Sequence, residues 1–156
     1  MTNTLELIWC RTFQAVLKVG NYFMGYRMPH YLEGPGKLRE LGAFLKEKNI
    51  NDVLVVTGTG MVRRGQVQPM LDSFDANGIR YTVQAYANPD PTSDDVELGF
   101  QTYREKNCRA IVALGGGSRI DCAKGIAAKA VHPRKQVAQL QGLLRVHRPI
   151  PPFVAI

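Results

Sequence analysis

The run AIVALGGGSRIDCAKGIAA, Ala110 to Ala128, joins an apolar stretch to three consecutive glycines and a serine, then sets an aspartate and a lysine in a segment of small and apolar residues. Glycines between a buried strand and a helix let a phosphate approach backbone N–H groups that a β-carbon would shield. Gly115, Gly116, Gly117 and Ser118 hold that place, and the Ser118 hydroxyl suits either a phosphate oxygen or the helix cap. Two familiar phosphate motifs fail on spacing. A Walker loop needs Lys-Ser/Thr directly after its last glycine, whereas Lys124 lies seven residues past Gly117. In the GxGxxG fingerprint the third glycine would fall on Ile120. The triplet alone also fits a plain strand-to-helix turn; Ser118, Asp121, Ala123 and Lys124 at fixed spacing make it sharper.

A turn of this kind has to be carried by a sheet. DVLVVTG and RAIVAL read as strands buried on both faces, the pattern of parallel sheets, while IRYTVQAY alternates and RPIPPFVAI starts a further strand. Helices are predicted between them: one after Gly34-Pro35-Gly36 with Leu38, Leu41 and Leu45 at helical spacing, and one in VRRGQVQPMLDSFDANG stopping at Asn77-Gly78. Another is capped by Thr92 or Ser93, one runs through SRIDCAKGIAAKAV, and a short one covers VAQLQGLLRV. Strands alternating with helices predict an α/β fold, an open and mostly parallel Rossmann-like sheet with helices on both faces, whose ligands bind beyond the carboxyl ends of the strands. At the N-terminus LELIWCRTFQAVLKVGNYFMGY reads as an amphipathic helix with Leu5, Trp9, Phe13 and Leu17 on one face. Residues 1–28 are thus expected to form a helical extension and residues 29–156 the α/β domain. The last strand breaks off at Ile156 before any loop, and we expect the chain to belong to a longer protein.

Composition narrows the function classes. The chain of 156 residues is 45% hydrophobic and 21% charged, which suits one globular domain. Its net charge of +7 raises nucleic acid as a partner, but the basic residues are scattered, with Arg63-Arg64 and Arg134-Lys135 the adjacent pairs, so no nucleic-acid role is expected. Cys10, Cys108 and Cys122 form neither a disulfide framework nor a CxxC site, which fits a reducing cytoplasm. Nothing reads as a membrane span, because Glu6, Arg11, Gln14 and Lys18 interrupt the longest apolar run. His30, His132 and His147 lack metal-ligand spacing and are expected at the surface in loops. Cys122 reads as packing, as do Trp9, Phe13, Tyr22, Phe23 and Tyr26, the aromatics second as a surface for a further domain or subunit.

GGGSRIDCAK resembles the GGGSxxDxAK pattern of the group III, iron-dependent alcohol dehydrogenase family. LEGPGKLRELG is similar to that family's opening GxGxLxxLG, DVLVVTGTGMVRRGQV to its first dinucleotide strand and turn, PDPTSDDV to its PNPTxxxV, and PPFVAI to the strand before its PTTAGTGSE loop. The resemblance runs from about Gly34 to Ile156. It implies the N-terminal domain of the dehydroquinate synthase-like fold, binding NAD(P), followed by a helical domain that holds Fe²⁺ or Zn²⁺ and lies outside this chain. It further implies hydride transfer to or from an alcohol or aldehyde, and assembly as a homodimer or higher homo-oligomer. The glycerol dehydrogenase relatives of the same superfold, and a non-catalytic nucleotide-binding module, are the alternatives.

By position, the resemblance implies that Gly115, Gly116, Gly117 and Ser118 cradle the pyrophosphate. Asp121 faces the nicotinamide end or, equally, compensates the helix dipole, and Lys124 reads as a pairing residue. Thr57, Gly58, Thr59 and Asp90 fall on the adenosine side. NAD-preferring members often carry an acid where Gly58 stands; its absence, with Thr57, Thr59, Arg63 and Arg64 nearby, favours NADP over NAD. Asp90 replaces the asparagine of PNPT, and an ionised carboxylate only accepts hydrogen bonds.

Overall fold

The computed structural model describes residues 4–23, 30–88, 90–142 and 145–156. The chain divides into two units, residues 1–33 and 34–156. In the first, helix α1 (Thr4–Phe23) bears exposed Trp9, Phe13 and Val16, and Thr12 donates its hydroxyl to the Ile8 carbonyl at 2.8 Å. Of the aromatic group expected there, Tyr26 and the side chains of Tyr22 and Phe23 lie outside what the structure describes.

The second unit runs from a 3-10 turn (Lys37–Glu40) through α2 (Leu41–Glu47), β1 (Asp52–Gly58), α3 (Thr59–Arg63), α4 (Gln68–Asn77), β2 (Arg80–Tyr86), α5 (Ser93–Glu105), β3 (Ala110–Leu114) and α6 (Gly117–Val131) to β4 (Phe153–Ala155). The strands form one parallel sheet in the order β2-β1-β3-β4. Each neighbour follows from composition. β3 is apolar throughout and β1 carries the apolar run Val53–Val56 between Asp52 and Thr57; Val53 to Val56 and Ala110 to Val112 are fully buried, because helices cover them on both sides. β2, which alternates, lies at an edge and is half-buried for most of its length.

Alternation along the strands builds two cores. Val53, Val55, Ala110, Val112 and Leu114 face α2 and α4 with Leu45, Met70 and Phe74, while Leu54, Val56, Ile111 and Ala113 face α5 and α6 with Phe100, Ala123 and Ile126. Each fully buried branched side chain contributes about 1.5–3 kcal/mol of transfer free energy, so the central strands hold the layers together. Small residues set the helix spacing on both faces. A β-carbon at Gly99 would stand 2.3 Å from Ile126 Cδ1, and one at Gly42 2.1 Å from the Ser73 carbonyl oxygen.

The helix predicted across VRRGQVQPMLDSFDANG is two helices. Gly65, at φ 67°, turns the chain between α3 and α4, and Pro69 sits in the first turn of α4, where its missing N–H costs nothing. Gly78, at φ 70°, ends α4 in the left-handed conformation. Thr92, rather than Ser93, caps α5: its hydroxyl accepts from the Asp95 N–H at 3.2 Å while the Asp95 carboxylate accepts from the Thr92 N–H at 2.8 Å. Of the helix expected in VAQLQGLLRV the described residues form a 3-10 turn over Val137–Leu140, after which Gln141 is extended and Gly142 has φ 109°.

Candidate functional site

The strand order places the site. From β1 the chain crosses to β2 on one side, then returns past β1 to β3 and continues to β4. The loops after β1 and β3 therefore leave adjacent strands towards opposite faces, β1 to α3 and α4, β3 to α6, which makes their carboxyl ends the switch point at which open α/β sheets form a crevice. Thr57 and Leu114 are register partners there, and the buried Thr57 hydroxyl donates to the Leu114 carbonyl at 2.9 Å. Thr57 is thus committed to tying the two strands.

The glycines after β3 have separate tasks. Gly115 has φ +143°, a conformation that side chains rarely adopt, and its N–H donates to the Ile156 carbonyl at 2.9 Å. Gly116, extended at φ −70° and ψ 176°, is the N-cap of α6, and Gly117 is its first helical residue. A β-carbon on either would meet no heavy atom within 4 Å, so both face open space. Ser118 does not cap the helix: Gly116 is the N-cap, and among the described residues no side-chain cap bond is made there. The first N–H groups of a helix have no partner inside it, and those of Gly117 and Ser118 have none elsewhere among the described residues. They converge with the positive end of a helix of 15 residues.

Gly58 ends β1, buried, and Thr59 opens α3 beside it. Arg119 reaches across from α6: a β-carbon on Gly58 would lie 3.4 Å from its Nε, and one on Gly115 would lie 3.0 Å from its Cγ. The Arg119 Nη1 is shielded from solvent and has no hydrogen-bond partner among the described residues. Arg64, expected near the adenosine side, instead lies back over its own helix, its Nη1 3.1 Å from where a Gly60 β-carbon would be and its Nε donating to Gln66 Oε1 at 3.1 Å.

Asp121, set in an apolar segment of the sequence, is exposed and pairs with Lys124 at 3.2 Å. An exposed pair at this spacing contributes a few tenths of a kcal/mol, roughly. Asp90 is exposed in the loop between β2 and α5, at the same end of the sheet as the glycine turn. Beneath the turn, Tyr86 donates to the Asp95 carbonyl at 2.8 Å, and burial with the neighbouring Cys122 thiol pushes the phenol pKa up. Cys122 is buried against Tyr86, with its own pKa raised by burial, which makes it a packing residue.

The histidines differ from one another. His30 and His147 are exposed, but His132, expected at the surface, is buried at the end of α6 with its ring centroid 5.0 Å from that of His147. The reason is that α6 ends on His132 and the next turn folds back over it, Lys135 N–H donating to the His132 carbonyl at 3.0 Å. Among the described residues no group of three or more His, Cys, Asp or Glu gathers as a metal site, and no helix is long and apolar enough to cross a membrane. Arg119 was the residue that sequence reasoning passed over. The available signal was a cation directly after GGGS, in the first turn of the helix that follows β3.

Comparison with known proteins agrees with this architecture. Residues 29–156 match the family model described as iron-containing alcohol dehydrogenase. The chain is 30% identical over 128 residues to the NAD-dependent methanol dehydrogenase of Bacillus methanolicus, covering 82% of this chain and 33% of that protein. It is 32% identical over 141 residues to the 1,3-propanediol dehydrogenase of Citrobacter freundii, covering 85% and 36% respectively. The crystal structure of a 1,3-propanediol oxidoreductase superposes with a TM-score of 0.73 at 31% identity, over 83% of this chain and 35% of that one. The chain therefore spans about a third of the length of these relatives.

Proposed function

The chain belongs to the iron-containing alcohol dehydrogenase family, and on that premise we propose that residues 29–156 form the NAD(P)-binding part of an enzyme passing hydride between the cofactor and a small alcohol or aldehyde. The observation that carries this reading is the open turn at Gly116 and Gly117, with the free N–H groups of Gly117 and Ser118 at the switch point between β1 and β3. The relatives named as methanol and 1,3-propanediol dehydrogenases support the substrate class.

When bound, the nicotinamide supplies the hydride acceptor or donor. Gly116, Gly117 and Ser118 bind the pyrophosphate through backbone N–H groups, and the Ser118 hydroxyl adds a donor. The loop containing Asp90 and the end of β1 at Gly58 and Thr59 border the adenosine. Asp121 lies one turn further along α6, exposed and with one carboxylate oxygen paired with Lys124, so its other oxygen can accept from a polar group at the nicotinamide end. Gly58 brings no carboxylate against a 2′-phosphate, which favours NADP. Residues of this chain do not assemble a metal site among those described, and we assign Fe²⁺ or Zn²⁺ to a helical domain after the α/β domain, residues 1–28 being an extension before it. We further propose a homo-oligomer acting in the cytoplasm.

Titrating the chain with NADPH and NADH while monitoring nicotinamide fluorescence tests the reading. Saturable binding that Gly116→Asp abolishes, in a variant whose circular dichroism is unchanged, is the expected result. Binding unaffected by Gly116→Asp would move the pyrophosphate elsewhere, and no binding of either nucleotide would overturn the reading for this chain.

A further inference from the structure

Resting on the dinucleotide reading above, we propose that Arg119 is the residue that reads the 2′ position of the adenosine ribose and makes the site selective for a 2′-phosphorylated cofactor. The guanidinium occupies the space left by the missing side chain at the end of β1: a Gly58 β-carbon would lie 3.4 Å from its Nε, 3.8 Å from Nη2 and 3.9 Å from Cζ. A carboxylate at position 58 would meet that cation directly and cancel it. With glycine there, the charge is uncompensated.

The stem is placed with equal economy. It passes beside Gly115, whose β-carbon would stand 3.0 Å from Arg119 Cγ and 3.4 Å from Cβ, so the residue crosses from α6 to β1 through the gap that two glycines leave. Arg119 joins no ion pair among the described residues, and its shielded Nη1 has no acceptor. With no carboxylate paired to Arg119 among the described residues, an anion arriving at the Gly58 side, where Nε and Nη2 stand, meets a cation that is not already neutralised. A dianionic phosphate presents oxygens that fit the guanidinium fork, whereas a ribose hydroxyl offers one weak acceptor. Arg64, already bonded to Gln66, is not placed to do this.

Calorimetric titration with 2′,5′-ADP and with 5′-ADP separates this proposal from the reading beneath it. The unaltered chain is expected to bind 2′,5′-ADP at least about tenfold more tightly, a preference that shrinks steeply with salt. Arg119→Ala and Arg119→Gln are expected to erase the preference while 5′-ADP affinity stays within about twofold. Gly58→Asp is expected to reverse it. If the unaltered chain binds both nucleotides equally, or if the Arg119 variants weaken both alike with their melting temperatures unchanged, Arg119 does not read the 2′ position although the nucleotide site stands. If neither nucleotide binds, the dinucleotide reading falls and this proposal with it.

Discussion

The Thr57 hydroxyl and the Leu114 carbonyl, 2.9 Å apart and buried, close the crevice floor between β1 and β3. Each belongs to a strand whose next residues turn away to opposite faces of the sheet, so this bond reinforces the backbone ladder at the point where the two loops bordering the candidate nucleotide site diverge.

Thr57→Val keeps the shape and deletes the donor. We expect a loss of about 1–2 kcal/mol in urea unfolding, and weaker nucleotide binding beyond it because the floor loosens. An unfolding curve coincident with that of the unaltered chain would show that the bond holds nothing.

Glycines at helix contacts are expected to differ in tolerance by what stands opposite. At Gly42 a β-carbon meets the Ser73 backbone carbonyl at 2.1 Å, which cannot move without shifting α4, and Gly42→Ala is expected to cost about 3 kcal/mol or more. At Gly99 it meets the ends of Ile126 and Tyr86 side chains, and Gly99→Ala should cost about 1–2 kcal/mol, less in an Ile126→Val background. Denaturant midpoints of the three variants check the order; equal costs would refute it.

The thiols are expected to react unequally. Burial pushes the Cys108 pKa to about 11 and raises that of Cys122, so both stay protonated and shielded at pH 8, while Cys10 is exposed. A thiol-specific chromogenic disulfide should titrate Cys10 alone in the native chain and all three cysteines in denaturant. In the unfolded chain these thiols ionise near their ordinary pKa, so the unfolded state loses protons first and stability declines as pH rises from about 9 towards 11.

His132 works in the opposite pH range. Burial first, then the charges of Lys135, His147 and Arg148, hold its pKa below the usual imidazole value. The unfolded chain then binds the proton before the folded one, so stability present above about pH 6.5 is lost as pH falls. Unfolding measured from pH 7 to pH 5 should show this decline, and His132→Gln should flatten it. A slope unchanged in the variant would assign the decline to other groups.

Much of this architecture was legible in advance, for physical reasons that differ from place to place. β1 and β3 could be read because strands covered on both faces carry near-continuous apolar runs, Val53–Val56 and Ala110–Leu114, and Gly78 because a helix stop needs a left-handed residue. The break between α3 and α4 was less legible: a single periodic run does not reveal that Gly65 takes positive φ. The exposure of Asp121 depends on which side of α6 meets α5, and the burial of His132 on the turn that folds back over the end of α6; neither is a local property. Within the site, the glycine turn was visible from residue types, whereas the reach of Arg119 to Gly58 depends on the register of two strands distant in sequence.

The fit of α5 against α6, with Gly99 and Gly125 at their contact, gives the crevice a fixed gauge. α5 begins just after the Asp90 loop and α6 begins at the glycine triplet, so two borders of the crevice are the front ends of one rigid pair. A molecule that touches both is measured against an unyielding span, like an object between the jaws of a calliper, and one slightly too long or too short gains nothing from the second jaw.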